Sequence, residues 1–215
     1  MAEPSFQVFE CQNPECRFRF SSDLTITKMV ACPQCGDSLQ PSGEKYSNEK
    51  VSHTAESFPV HQLELLLDNL RSALNVGSIF RTADGAGVSH IYCCGTTPTP
   101  DHPKIIKTGL GAEGFVSWSY HRNSLKVIDN LKEKRLVYSL ETSESSISLF
   151  AEKGILPQDK PILLIVGNEI SGIDPELMKR SQSVLSLPMT GSKTSLNVAV
   201  AAGIAIYALR FRKQY

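Results

Sequence analysis

Five consecutive apolar residues, Ile162-Leu163-Leu164-Ile165-Val166, are followed at once by Gly167-Asn168-Glu169. A strand made only of such side chains has no face suited to water, so it predicts a strand covered on both sides. Strands of this kind belong to parallel sheets, whose members must be joined by crossover connections, most often helices. The chain from about residue 60 onward supplies that alternation. Residues 63–67, 88–94, 115–120, 136–140 and 184–187 read as further strands. Residues 75–86, 104–110, 123–134 and 175–181 read as helices, with Gly85 and Gly87 closing the first and Pro175 opening the last behind Asp174. The expected class is α/β with a mostly parallel sheet.

The C-terminal stretch 185–209 passes from a short apolar run through a hydroxyl-rich loop into an Ala-rich segment of helical character. Thr194 or Ser195 is the expected N-cap, with Asn197 in the first turn. Three loops then follow apolar strands: 68–75, 167–174 and 188–195. In open parallel sheets ligands sit outside the carboxyl ends of the strands, so these loops could converge on one site. Two nucleotide motifs fail on inspection. TGSKTS lacks the first glycine of a phosphate loop, and Gly85-Ala86-Gly87 follows a helix and lacks a third glycine.

Four cysteines, Cys11, Cys16, Cys32 and Cys35, fall in the first 35 residues as two pairs on turns. Paired thiolates at that spacing fit a four-cysteine zinc ribbon over residues 1–45. Its first knuckle is looser than its second, having four intervening residues. Between the pairs, Arg17-Phe18-Arg19-Phe20 alternates as a strand does, either offering an arginine strip to phosphate or solvating a small aromatic core. Residues 46–59 are polar and read as a linker, and 60–215 as the second domain. Cys93 and Cys94 fall on a strand, where buried thiols are usual.

Lysine and arginine together number 22, as do aspartate and glutamate, so gross charge advertises neither nucleic acid nor membrane. The N-terminus has no signal-peptide pattern, and the apolar run 196–209 is short for a membrane span. A soluble, cytoplasmic protein with no membrane partner is expected.

Taken singly, Asn75, Arg81, Glu169, Ser195 and Asn197 each have ordinary structural explanations, such as capping or a surface ion pair. Taken together, NVGSIFRTADGAG, LIVGNEISGID and LPMTGSKTSLNVAVAAGIAIYAL closely resemble the three signature motifs of the SpoU/TrmH-type RNA ribose 2′-O-methyltransferases, of the SPOUT class. The resemblance spans about residues 60–210. It implies a parallel sheet whose C-terminal part is tied in a deep trefoil knot, against the general rule that chains are unknotted. It also implies a homodimer with its active site at or near the subunit interface, and S-adenosylmethionine as cofactor. By position in the motifs, Asn75, Arg81, Glu169, Ser195 and Asn197 would be catalytic. Gly167, Ile173, Leu187, Met189 and Leu196 would line the cofactor pocket. The resemblance gives Arg81 the part of base, a difficult one for a guanidinium whose pKa lies above about 12; gripping a phosphate and stabilising the alkoxide asks less of it.

The function expected is methylation of a ribose 2′-hydroxyl in structured RNA, either tRNA or rRNA. A catalytically silent RNA-binding protein that docks through its zinc ribbon is the alternative, and a protein-interaction module on an inert scaffold a third. Cofactor binding and methyl transfer separate the three. Arg17, Arg19, Lys104, Lys107, Lys193, Arg210, Arg212 and Lys213 are candidate phosphate contacts.

Overall fold

The computed structural model describes residues 5–25, 30–47, 61–151 and 160–211. Most of the expected linker, from residue 48, lies outside these, as do Arg212 and Lys213. The chain divides into two compact units, Met1–Glu56 and Ser57–Tyr215.

The first unit is an antiparallel sheet of β1 (Phe6–Cys11), β2 (Arg19–Asp23) and β3 (Leu39–Tyr46), with β1 in the centre. Its small core is aromatic: Phe20 lies 6.2 Å from Phe9 and 5.4 Å from Phe18, ring centre to ring centre. The strand expected from residue 17 begins at Arg19 instead. Arg17 takes a left-handed backbone (φ 47°) as the first cysteine knuckle closes, which breaks the alternation there. Both arginines turn to one acid, Glu10, at 3.2 Å each, so neither stands free as a phosphate contact.

The second unit is a seven-stranded sheet in which every pairing is parallel. Its elements are β4 (Leu63–Asp68), α1 (Ala73–Ala86), β5 (His90–Cys94), α2 (Pro103–Gly109), β6 (Trp118–His121), α3 (Ser124–Leu131), β7 (Leu136–Leu140), β8 (Ile147–Ser148), β9 (Ile162–Val166), α4 (Pro175–Met178), β10 (Ser183–Ser186) and α5 (Val198–Phe211). The spatial order is β6-β5-β4-β9-β7-β10-β8. The all-apolar β9 sits in the middle and is at most 1% exposed. Its alternate residues feed two cores. Leu164 and Val166 meet side chains of α1 and α5, while Leu163 and Ile165 meet those of α3 and α4.

The differences from expectation lie mainly at element ends. α4 is a single turn rather than a helix to 181, α3 stops at Leu131, and the two-residue β8 carried no readable signal. The helix expected near 196 starts at Val198. Asn197, not Thr194 or Ser195, caps it: its Oδ1 accepts from the N–H groups of Ala199 (2.9 Å) and Val200 (3.4 Å).

Strand order decides where a ligand can go. From β4 the chain steps outward to β5 and β6, then returns beyond β9 to lay down β7 and β10 on the other side. The reversal places the loops after β4, β9, β7 and β10 side by side, and a crevice opens where loops diverge in this way.

Candidate active site

The loop after β9 begins with a constraint. A Cβ on Gly167 would lie 2.6 Å from backbone atoms of Gly172 and Ile173, so only glycine fits as the loop folds back on itself. Asn168 and Gly172 exchange backbone hydrogen bonds at 3.0 Å, and Asn168 Oδ1 accepts from the amides of Ile170 and Ser171. The Asn168 amide nitrogen donates across to the carbonyl of Asn69 at 2.7 Å, which ties this loop to the one after β4.

That tie presents Glu169 to the N-terminus of α1. Its carboxylate accepts from the amides of Arg71 (2.8 Å) and Ser72 (3.0 Å) and from Asn75 Nδ2 (3.0 Å). Asn75 Oδ1 in turn accepts from Asn197 Nδ2 at 3.2 Å. One hydrogen-bonded line thus joins the loop after β9, the first turn of α1 and the cap of α5. Burial works to raise the pKa of Glu169, but the Arg71 amide, the Asn75 side chain and the Ser72 amide outweigh it and hold the carboxyl below its ordinary value. Glu169 is therefore an anion at neutral pH and a poor proton acceptor.

The sign of that shift makes a prediction. A carboxyl with a folded-state pKa below its unfolded value of 4.5 stabilises the fold above that pH. The contribution fades as pH falls through the depressed value. The thermal midpoint of Glu169→Gln should lie below wild type at pH 7, and the two should converge as the solution is acidified through that depressed value. A gap that persists undiminished in acid would show that ionisation of Glu169 plays no part.

Beside this line is a cavity of about 440 Å³. Of the residues singled out in the sequence, Asn75, Glu169, Ser195, Asn197, Gly167, Leu187, Met189 and Leu196 stand on its wall. Two do not. Ile173 is 3% exposed and packs into the core behind the cavity, its amide donating to Glu141 Oε2 at 3.2 Å. Arg81 lies on the exposed part of α1, about 120° around the helix from Asn75 at roughly 100° per residue. It is not part of the wall and forms no ion pair among the described residues.

Glu141 and Thr142, also on the wall, were missed in the sequence. Glu141 directly follows the buried strand β7, so the reasoning that singled out Glu169 after β9 would have found it. Its carboxylate accepts from Thr142 N (2.8 Å) as well as from Ile173 N. Asp68 was missed too. It is 2% exposed, accepts from Asn69 Nδ2 (3.0 Å) and Asp174 N (3.4 Å), and is pushed up in pKa by burial. It braces the two loops from behind.

The charge of the wall restricts its ligand. Glu141 and Glu169 line the cavity, and among the described residues no lysine, arginine or histidine does. A polyphosphate would find no counter-charge there, whereas a cation would be favoured. Leu140, Leu187 and Leu196 add apolar surface for a flat or aliphatic group.

In the first unit, the sulfurs of Cys11, Cys16, Cys32 and Cys35 all lie within 4.8 Å of one another. Cys11 and Cys35 are 3.4 Å apart and Cys16 and Cys32 3.9 Å. Four thiolates about 2.3 Å from one tetrahedral ion would be separated by roughly 3.8 Å, so the cluster fits zinc. Cys93 and Cys94 are buried, and burial pushes both thiols up to about 12, which leaves them unreactive.

A sequence model of the SpoU rRNA Methylase family matches residues 62–207. The chain is 32% identical over 146 residues to the 23S rRNA (guanosine(2553)-2'-O)-methyltransferase of Bacillus subtilis, covering 68% of this chain and 57% of that protein. It is 26% identical over 172 residues to the tRNA (guanosine(18)-2'-O)-methyltransferase of Aquifex aeolicus, covering 77% and 78% of the two. Among solved structures, the AdoMet-bound rRNA methyltransferase from Sinorhizobium meliloti superposes with a TM-score of 0.63 at 25% identity, over 70% of this chain and 56% of that one. The chain thus spans little more than half the length of the first of these relatives.

Proposed function

Because this chain belongs to the SpoU rRNA methylase family, we propose that it methylates a ribose 2′-hydroxyl of RNA, with S-adenosylmethionine as donor. The observation that carries the proposal is the line Glu169–Asn75–Asn197 on the wall of a cavity that holds two carboxylates and no cation among the described residues. Bound there, S-adenosylmethionine would supply a methyl group on a positively charged sulfur, which suits an anionic wall. Gly167, Leu187, Met189 and Leu196 would hold it, and Ile173 would support that wall from behind. The cofactor-bound relative is consistent with this assignment.

The residues of the chain then have to align a hydroxyl and ease its loss of a proton. Asn75, Ser195 and Asn197 would position the ribose. Glu169 serves by fixing Asn75: it takes the amide N–H, so the Asn75 oxygen can only turn towards Asn197. Arg81, exposed and without an ion pair among the described residues, would grip a neighbouring phosphate and stabilise the alkoxide as it forms. The hydroxyl proton then passes to solvent. In this role an Arg81→Lys variant retains much of its rate with an unshifted pH–rate limb. A shifted limb would make Arg81 the base.

Transfer of labelled methyl from S-adenosylmethionine into bulk RNA tests the proposal, and mapping the product fixes the nucleotide. Both tRNA and rRNA enzymes occur among the relatives, and the RNA proposed here is a structured RNA of either kind. Binding of the cofactor without transfer would favour the silent RNA-binding alternative.

The proposal extends to the assembly, the chain path and the first unit. Val200, Ile204 and Tyr207 form an exposed apolar stripe along α5, beside Ser78 and Thr82 of α1. The stripe suits a second copy of the chain, which would bring its own groups to the site. Ile204→Glu should shift a dimer to monomer in sedimentation, and a wild type that sediments as a monomer would remove this part. The trefoil knot implied by the resemblance belongs to the same reading, as do a zinc-ribbon domain at 1–45, a linker at 46–59 and a methyltransferase domain at 60–215. None of the helices among the described residues is long and apolar enough to cross a membrane; the proposed location is cytoplasmic.

A further inference from the structure

At the edge of the large sheet furthest from β8, strand β6 leaves a row of aromatic rings in water. Trp118 and Tyr120 alternate onto one face of the strand, opposite Ile91 and Cys93 of β5, and Phe115 precedes them. They are 38%, 48% and 82% exposed. Burial of such large rings is strongly favoured, so three near one edge mark a surface that meets something.

The surrounding charge indicates what. Residues 102–126 carry Lys104, Lys107, Arg122 and Lys126 against one carboxylate, Glu113, in a chain that is neutral overall. One oxygen of Glu113 is buried, away from the surface. Lys104 and Lys107 are exposed on α2 and, like Arg122, form no ion pair among the described residues. Aromatic faces beside unpaired cations are what unpaired nucleic acid binds, bases on the rings and phosphates on the lysines.

The rings also connect to the site. Tyr120 Oη donates to the carbonyl of Gly95 at 3.0 Å, and the next amide, Thr96 N, donates to Asn69 Oδ1 at 3.1 Å. The Asn69 carbonyl is the group that Asn168 grips beside Glu169. Tyr120, the ring nearest the carboxyl end of β6, is thereby joined through the loop after β5 to the loops that hold Glu169, while Trp118 and Phe115 continue the row back towards the amino end of the strand.

We propose that Phe115, Trp118 and Tyr120 form a base-stacking platform for an unpaired stretch of the RNA substrate, whose phosphates pass Lys104 and Lys107. The proposal rests on reading the site as an RNA methyltransferase. It adds that the enzyme selects RNA that is single-stranded next to the modified nucleotide, since a duplex hides its base faces.

Trp118 is the only tryptophan in the chain, so its emission reports on the platform directly. Titrating the full-length protein with a short mixed-sequence single-stranded RNA should quench that emission, roughly twofold if a base stacks on the ring. The same sequence as a blunt duplex, or S-adenosylmethionine alone, should leave it unchanged. Phe115→Ala and Tyr120→Ala should each weaken RNA affinity about tenfold, with cofactor affinity preserved. Labelled RNA that binds without altering Trp118 emission, and equally well to both variants, would overturn the platform. So would a tryptophan in the free protein that acrylamide cannot reach, because another segment or a second copy would then cover the face. If wild type and variants methylate RNA alike at subsaturating RNA, the platform fails and the methyltransferase reading stands. If the wild type transfers no methyl to any RNA, both fail together.

Discussion

Arg81→Ala is expected to lower kcat/KM for methyl transfer by about a thousandfold, the scale of losing a charged group that acts on a developing oxyanion. Its affinity for S-adenosylmethionine should stay within about twofold of wild type. The separation follows from position. Arg81 stands off the cavity wall on the exposed part of α1, so removing it takes nothing from a cofactor held by Gly167, Leu187, Met189 and Leu196. Calorimetry with the cofactor alone and single-turnover transfer into RNA measure the two quantities independently. If cofactor affinity collapsed along with the rate, Arg81 would have to reach the cavity, and the assignment to the RNA side would be wrong.

The second large effect concerns the metal. Stripping zinc with a chelator, or replacing Cys32 with serine, should unfold the first unit while leaving the second standing. Its sheet has three strands and a core of a few aromatic rings, too little to fold alone at that size. A structural zinc contributes on the order of 10 kcal/mol to such a unit. Metal analysis should find one zinc per chain. Limited proteolysis of the stripped protein should cut within the first unit and spare 61–151 and 160–211. A first unit that resisted protease without metal would make the four cysteines a reactive cluster rather than a scaffold.

The architecture was legible because its strongest signals are local. The unbroken apolar run of β9 demands cover on both faces, and Gly87, at φ 68°, closes α1 as its composition suggests. What could not be read is the strand order. That β9 lies between β4 and β7 depends on long-range pairing, and no local pattern records it. The site follows the same division. Glu169 stood out because a carboxylate after a buried strand is conspicuous. Its attachment to the amides of Arg71 and Ser72, nearly a hundred positions earlier, depends on the sheet. The cap of α5 was misplaced for a subtler reason. Thr194, Ser195 and Asn197 are all competent caps, and the choice fell to Asn197 where the loop meets Asn75.

The hydrogen-bonded line has a direction, and that makes the site sensitive to any change in the chemistry of its two side-chain amides. Asn75 gives its N–H to Glu169 and its oxygen to Asn197, and the oxygen of Asn197 is already committed to the start of α5. Neither amide can turn over without breaking a bond at each end. Deamidation, which replaces one nitrogen by oxygen and hardly changes shape, would set two carboxylates face to face at Asn75. At Asn197 it would keep the helix cap and remove the N–H that Asn75 accepts. A lesion that passes unnoticed at most surface asparagines would here reverse the polarity of the line.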